Sequence, residues 1–188
     1  PPELMAEISY DEKLPAGVPV RLILGDTITL FGNANSNHAL LEWNLPDSVA
    51  CEGCDRILWI PQNSEVVRLN VMDTLTGCRA STTLAIEVGQ SPPFFVPTAF
   101  SPNGDGANDY FTIYGGSGVR SVKNLRIFSR SGELIYFSGQ VFPGPEDSGW
   151  DGSLGGRRLS PQVFIYLAEI EYINGKVEAI SGDVVLMR

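Results

Sequence analysis

Val66-Val67-Arg68-Leu69-Asn70-Val71-Met72 sets Val67, Leu69 and Val71 on one parity, with Arg68 and Asn70 on the other. Successive side chains of an extended chain point to opposite faces, so this run reads as a strand with one side in a core and the other in water. Leu84, Ile86 and Val88 repeat the pattern against Thr83 and Glu87. Working outward, similar short runs fall at Val18 to Leu24, Thr27 to Phe31, Leu40 to Leu45, Arg56 to Ile60 and Thr82 to Val88. Further along they resume at Phe94 to Val96, Tyr110 to Tyr114, Leu125 to Phe128, Glu133 to Phe137, Val163 to Ile173 and Asp183 to Met187. No window holds a helical period beyond about two turns, so any helix is a short connector.

Between the two series lies Gly89-Gln90-Ser91-Pro92-Pro93. Pro cannot donate to a strand ladder, so this break marks a domain boundary dividing residues 1–90 from residues 91–188. The 20 Gly and 13 Pro are scattered singly between apolar runs, as tight turns between strands require. The expected fold is all-β: two consecutive Ig-like β-sandwich domains, with Trp43 packed inside the first.

Composition narrows the function. Of 188 residues 43% are hydrophobic and 19% charged, enough apolar material for packed cores. The net charge is −9, of which residues 1–90 carry −7 (12 acidic, 5 basic) and residues 91–188 carry −2 (10 acidic, 8 basic). Nucleic acid and anionic lipid both attract clustered Lys and Arg, so neither is an expected partner. No run approaches the roughly 18 apolar residues of a membrane helix, and direct membrane insertion is not expected. A chain opening on Pro1-Pro2-Glu3 reads as part of a longer protein.

Two constellations carry possible chemistry. Ser101-Pro102-Asn103-Gly104-Asp105-Gly106-Ala107-Asn108-Asp109 places oxygen side chains of Ser101, Asn103, Asp105 and Asp109 at relative positions 1, 3, 5 and 9 with Gly at 6, the front of a calcium loop. Thr112 replaces the bidentate Glu of position 12, and the competing reading is a plain Asx-rich turn. Cys51-Glu52-Gly53-Cys54 lacks the helix that a redox pair uses, and His38 with Cys78 makes a poor completion of a zinc site. A small structural disulfide in an exported domain fits better; Cys51 with Cys54 is the first pairing to consider, although sequence alone leaves the pairing open.

Enzymatic readings find little support. His38 sits in the polar run Asn33 to Asn37 with no G-x-S-x-G elbow to serve. Glu169 and Glu171 share one parity of a strand and read as solvated carboxylates rather than a glycosidase pair. Trp150 between Asp147 and Asp151 reads as a plug at the sandwich end, with a sugar platform as the alternative. Arg120, Lys123, Arg126 and Arg130 form a local basic patch facing an acidic partner or solvent.

Read in order, Phe95-Val96-Pro97-Thr98-Ala99-Phe100-Ser101-Pro102-Asn103-Gly104-Asp105-Gly106 with Asn108-Asp109, the hairpin Leu125 to Tyr136, the turn Gly149-Trp150-Asp151-Gly152 and the ending Gly182 to Arg188 resemble the gliding motility-associated C-terminal domain. This is the type B sorting domain of the type IX secretion system of Bacteroidota. Ser131, where that family usually has an aromatic, and Gln162, where it usually has Gly, depart from its pattern. Residues 1–90, through Trp43 to Pro46, Cys51, Cys54 and Gly77-Cys78, resemble the PKD or Ig-like spacers of surface adhesins.

The resemblance implies a non-catalytic sorting and outer-membrane docking module of a large adhesin-like protein. Such a module is exported through the periplasm and recognised by the type IX translocon and a PorP/SprF-like outer-membrane protein. Its expected working end is a free terminal strand, Asp183, Val184, Val185, Leu186, Met187 and Arg188, adding to a partner's sheet edge or docking in a barrel mouth. The alternative is a calcium-dependent adhesive or carbohydrate-binding module.

Overall fold

A computed structural model describes residues 3–11, 19–45, 49, 51, 53–89, 94–141, 143 and 149–187. Val18, Pro46, Gln90 to Pro93, Asp147 and Arg188, each part of a sequence expectation, lie outside them. The chain forms two compact units, Pro1–Ser91 and Pro92–Arg188. Among the described residues neither contains an α-helix.

Unit 1 holds β1 (Ala6–Tyr10), β2 (Val20–Ile23), β3 (Ile28–Ala34), β4 (Ala39–Asn44), β5 (Arg56–Trp59), β6 (Glu65–Asp73) and β7 (Arg79–Gly89). They make two sheets, ordered β1-β3-β5 and β2-β7-β6-β4, antiparallel except where β2 runs parallel to β7. Alternation explains the core: Ile28 and Leu30 on β3, Val67, Leu69 and Val71 on β6, and Leu84 and Ile86 on β7 are buried and form one cluster with Trp43, Ile57 and Trp59. Trp43 needs room across the sandwich. Gly32 supplies it, since a Cβ there would stand 2.7 Å from the Trp43 ring. The indole N–H donates to the Cys54 carbonyl at 2.8 Å, so a buried donor is satisfied. The polar turn of Asn35 to His38 that joins β3 to β4 holds His38, which is exposed.

Strand β1 has no counterpart in the sequence reading. Of its five residues only Ile8 is fully buried, too little alternation to register as a pattern.

Unit 2 holds β8 (Phe94–Phe95), β9 (Ala99–Phe100), β10 (Tyr114–Gly115), β11 (Val119–Phe128), β12 (Leu134–Val141), β13 (Ser153–Leu154), β14 (Arg157–Arg158), β15 (Gln162–Tyr172) and β16 (Val177–Leu186). One sheet of five strands, ordered β12-β11-β15-β16-β9, forms its main layer. Its buried face is covered by short pieces: the β8–β10 pair and an isolated bridge between Phe111 and Trp150. The expected strand over Tyr110 to Tyr114 is reduced to that bridge and to β10. Phe111, Thr112 and Ile113 are all fully buried in succession, and a run without a solvent face has no strand alternation to keep.

Rings fasten these pieces to the sheet. Trp150 lies 4.7 Å from Phe164 on β15 and 5.3 Å from Phe100 on β9, and Phe111 lies 5.4 Å from Tyr166. In β11 a bulge between Lys123 and Arg126 lets both Val122 and Leu125 face the core despite their odd spacing. Asn124, at φ +53°, turns the backbone there, and its side chain donates to Glu169 at 2.9 Å. Both units are Ig-like β-sandwiches.

Candidate functional site

The end of the chain was expected to be a free strand, and the structure corrects this. β16 is interior: it pairs antiparallel with β15, from Glu171↔Val177 to Gln162↔Leu186, and parallel with β9 through Val185↔Ala99 and Leu186↔Phe100. The N–H of Val185 donates to Thr98 and that of Met187 to Phe100, both at 2.9 Å. On the β9 side the backbone is committed from Val185 to Met187, on the β15 side from Val177 to Leu186, and Val184 and Leu186 are fully buried. The end of β16, Val185 and Leu186, is therefore held between two strands rather than free for strand addition. Only the side chains of Asp183, Val185 and Met187 face outward.

The reason is legible in the second unit's layout. A last strand placed between two neighbours, one of them only two residues long, closes the sheet over Phe100 and the Trp150 turn. That turn is equally committed. Trp150 is fully buried, which removes it as a sugar-stacking platform, and its indole N–H donates to the Ser153 carbonyl at 2.8 Å. Asp151 accepts from the Ser153 N–H at 3.0 Å and its hydroxyl at 2.6 Å. Gly152 sits at φ +73° with its missing Cβ only 2.9 Å from Leu186, so the turn and the last strand pack on each other.

The Ser101 to Asp109 run shows what its oxygens hold. Asp109 accepts the N–H groups of Gly104 and Gly106 at 2.7 and 2.8 Å, one on each carboxylate oxygen. Asp105 accepts from the Ala107 N–H at 2.9 Å and the Asn103 amide at 2.8 Å, while Asn103 accepts from the Asp105 N–H at 2.8 Å. The Gly104 and Gly106 amides hold the Asp109 carboxyl below the usual carboxylate range. Every oxygen of the two carboxylates therefore already receives a donor from within the loop. Among the described residues there is no group of three or more His, Cys, Asp or Glu arranged to hold a metal. Thr112, at relative position 12, is buried with its hydroxyl unpartnered rather than turned to a hydrogen-bond acceptor.

In unit 1, Cys51 and Cys54 are joined as a disulfide with Cα atoms 5.7 Å apart, and Cys78 is a free, exposed thiol at the β6–β7 turn. That turn is built on Asp73. The Ser36 hydroxyl at 2.7 Å, with the N–H groups of Thr76 and Leu75, pulls its carboxyl down to about 2.

The carboxylates considered for catalysis are tied into the outer face of the sheet. Glu171 receives Lys123 at 2.9 Å and the Ser121 hydroxyl at 2.8 Å, and these hold it below its ordinary value. A glycosidase acid needs the opposite shift. In the basic patch, Arg120 donates to the Ile173 carbonyl and Lys123 is paired, whereas Arg126 lies over the Phe137 ring. Tyr172, buried and donating to Glu178, is pushed up to about 12.

One feature escaped the sequence reading: apolar residues on the solvent side of β12 and β15, among them Phe137, Ile165 and Leu167. The signal was present. Val163-Phe164-Ile165-Tyr166-Leu167 is apolar at both parities, and in a sheet covered on one side only, one parity must face out.

Comparison with known proteins gives one family. The CHU_C Type IX secretion signal domain matches residues 94–186. No curated protein matches. Among solved structures, the chain is similar to three N-terminal domains of the bacteriophage RB49 Highly Immunogenic Outer Capsid protein, at 11% identity and TM-score 0.37, covering 98% of this chain and 59% of that one. It is also similar to the Clostridium thermocellum CbhA fibronectin(III)-like modules, at 10% identity and TM-score 0.34, covering 96% and 93%. Dimeric latent PorU from Porphyromonas gingivalis gives 13% identity and TM-score 0.31, covering 97% of this chain and 20% of that one. Likeness at these scores carries no argument about site or partner.

Proposed function

We propose, from the match of residues 94–186 to the CHU_C Type IX secretion signal domain, that the chain is part of a secreted or cell-surface protein that engages the type IX machinery, as a non-catalytic sorting and outer-membrane docking module behind an Ig-like spacer. Its cargo is the rest of an adhesin-like surface protein, carried through the periplasm. The docking partner is an outer-membrane protein of the PorP/SprF kind.

The observation that carries the mechanism is the committed backbone of β16. With Val185 and Leu186 paired on both edges and Val184 and Leu186 in the core, recognition falls to side chains on a folded domain, in particular those of Asp183, Val185 and Met187. Folded recognition suits export after folding, since a rigid surface binds with little ordering cost. The non-catalytic reading is supported by the ion-paired Glu171 and by His38 in an exposed turn. The Ser101 to Asp109 run acts as a self-capped turn between Phe100 and Phe111 rather than as a calcium site, a reading supported by the loop donors that each oxygen of Asp105 and Asp109 receives.

The test attaches an exported reporter to the whole chain, and separately to residues 1–91, in a type IX secretor. The whole chain should bring the reporter to the cell surface or medium and residues 1–91 should leave it in the periplasm. A whole-chain fusion that stays periplasmic with its PorP/SprF-like partner present would sink the reading. Deleting residues 184–188 is the wrong probe, because removing Val184 and Leu186 opens the core.

A further inference from the structure

On the outer face of the five-stranded sheet, Phe137 of β12, Arg126 of β11 and Leu167 of β15 are direct cross-strand partners. The next row joins Leu134 through Phe128 to Ile165 and ends on Asp183 at the β16 border, and the one after it sets Val163 against Val185. Directly opposed residues project to the same side, so these rows are contiguous. Their alternates, Phe164, Ala168, Val184 and Leu186, fill the core on the other side. Phe137 is 53% exposed, Leu134 49%, Ile165 41%, Leu167 37% and Val185 36%.

Unit 1 does not do this. Its exposed Ile23, Leu40, Leu58 and Val66 stand opposite Gly89, Met72, Thr29 and Ala85, so no two of them are cross-strand partners, and its exposed Met5, Ile60 and Leu75 lie outside strands. Apolar side chains scattered singly over a surface are ordinary, but neighbouring rows of them mark an interaction site.

Charge selects the occupant. Arg126 stands between Phe137 and Leu167 with its guanidinium 5.7 Å from the Phe137 ring centre, and among the described residues it has no ion-pair partner. Its neighbours Lys123 and Arg120 are already engaged by Glu171 and the Ile173 carbonyl. Covering this face with a purely apolar surface would bury an unpaired cation, at a strong penalty. The covering surface must bring a carboxylate to Arg126, and an arginine beside an aromatic ring at the centre of an apolar patch is the composition of a binding hot spot.

We propose that this face, centred on Phe137, Arg126 and Leu167, is the docking surface for a protein of the type IX machinery that presents apolar side chains around a carboxylate. The inference rests on the sorting reading above and deepens it. Val185 joins the patch to the exposed side of β16, so the two assignments form one continuous surface.

The test uses the whole chain fused to an exported reporter. Phe137→Ser with Leu167→Ser should lower export about ten-fold or more, the loss expected of a hot spot. Arg126→Glu alone should lower it comparably, while Leu58→Ser with Val66→Ser in unit 1 leaves it at the parent level. All of these positions are exposed or half-exposed, so thermal unfolding of the purified variants should stay near that of the parent; Arg126→Glu decides the matter if the double serine variant fails to fold. Export of the folded face variants at parent level overturns the docking surface and leaves the sorting reading standing. A parent fusion that is not exported overturns both. Sedimentation of the purified chain across a wide concentration range adds the last arm: a dimer dissolved by the same substitutions would put a second copy on this face and overturn the assignment.

Discussion

Unit 1 packs Trp43 and Trp59 from inside regular strands, whereas unit 2 packs Trp150 from a bridge between two irregular segments. In the first, two sheets of three and four strands each contribute a parity of aliphatic residues, so the core is spread along every strand. In the second, one sheet of five strands supplies nearly all the ladder, and loops carrying Phe111, Ile113 and Trp150 make the opposite wall. Such loops are normally the mobile part of a sandwich. Here ring contacts to Phe100, Phe164 and Tyr166 pin them, and the last strand closes over them. On the proposed reading, unit 1 as a spacer needs only a stable body, whereas unit 2, recognised while folded, needs a fixed surface, which its largest aromatic residues brace.

The comparison breaks most sharply at Trp150. Trp150→Ala deletes a fully buried side chain that touches two rings and holds a turn, and should cost about 3–5 kcal/mol, as large core truncations do. Calorimetry should show the unit 2 transition displaced or lost and the unit 1 transition unchanged; equal displacement of both would mean that the units do not unfold separately.

The counterpart in unit 1 is smaller. Gly32→Ala places a methyl 2.7 Å from Trp43 and 2.9 Å from Leu41, an overpacking cost of about 1–3 kcal/mol. Only the unit 1 transition should fall, in urea as in heat. A variant as stable as the parent would show that Trp43 has room to shift.

The smallest effect separates the units by pH. Asp73 in unit 1 and Asp109 in unit 2 both titrate lower folded than unfolded, Asp73 at about 2. The stability they lend is therefore full above the unfolded carboxylate value of about 4 and drains away as pH falls through the folded values. Asp73→Asn keeps an acceptor for the turn N–H groups but cannot titrate, so it should flatten the acid limb of unit 1 alone, between about pH 4 and about pH 2. Asp109→Asn should do the same for unit 2. Melting temperatures across acid pH check both, and unchanged acid limbs would put the titration elsewhere.

Strand alternation made much of this legible in advance. β6, β7 and β15 follow from parity alone, because a strand with one face in the core must alternate. Parity fails where its premise fails. Phe111 to Ile113 has no solvent face, β1 has a single fully buried residue, and β11 changes parity at the Asn124 bulge.

The site was half legible. The order of motifs from Phe95 onward resembles a type IX signal domain without any coordinates, and residues 94–186 match its family model, because each motif serves a local turn or strand that sequence specifies. What those motifs do to each other is tertiary. Whether the Ser101 to Asp109 oxygens meet a cation or their own backbone depends on where the loop folds back. Whether Asp183 to Met187 is an edge or an interior strand depends on β9, more than eighty residues earlier in the chain. Local sequence determined most of the strands, their buried parity and the match of residues 94–186 to a type IX secretion signal domain. Only tertiary pairing decided that the end of the last strand is held on both sides and that an apolar row around Arg126 faces outward, because hydrogen-bond partners and neighbouring rows come from distant segments that no local pattern records.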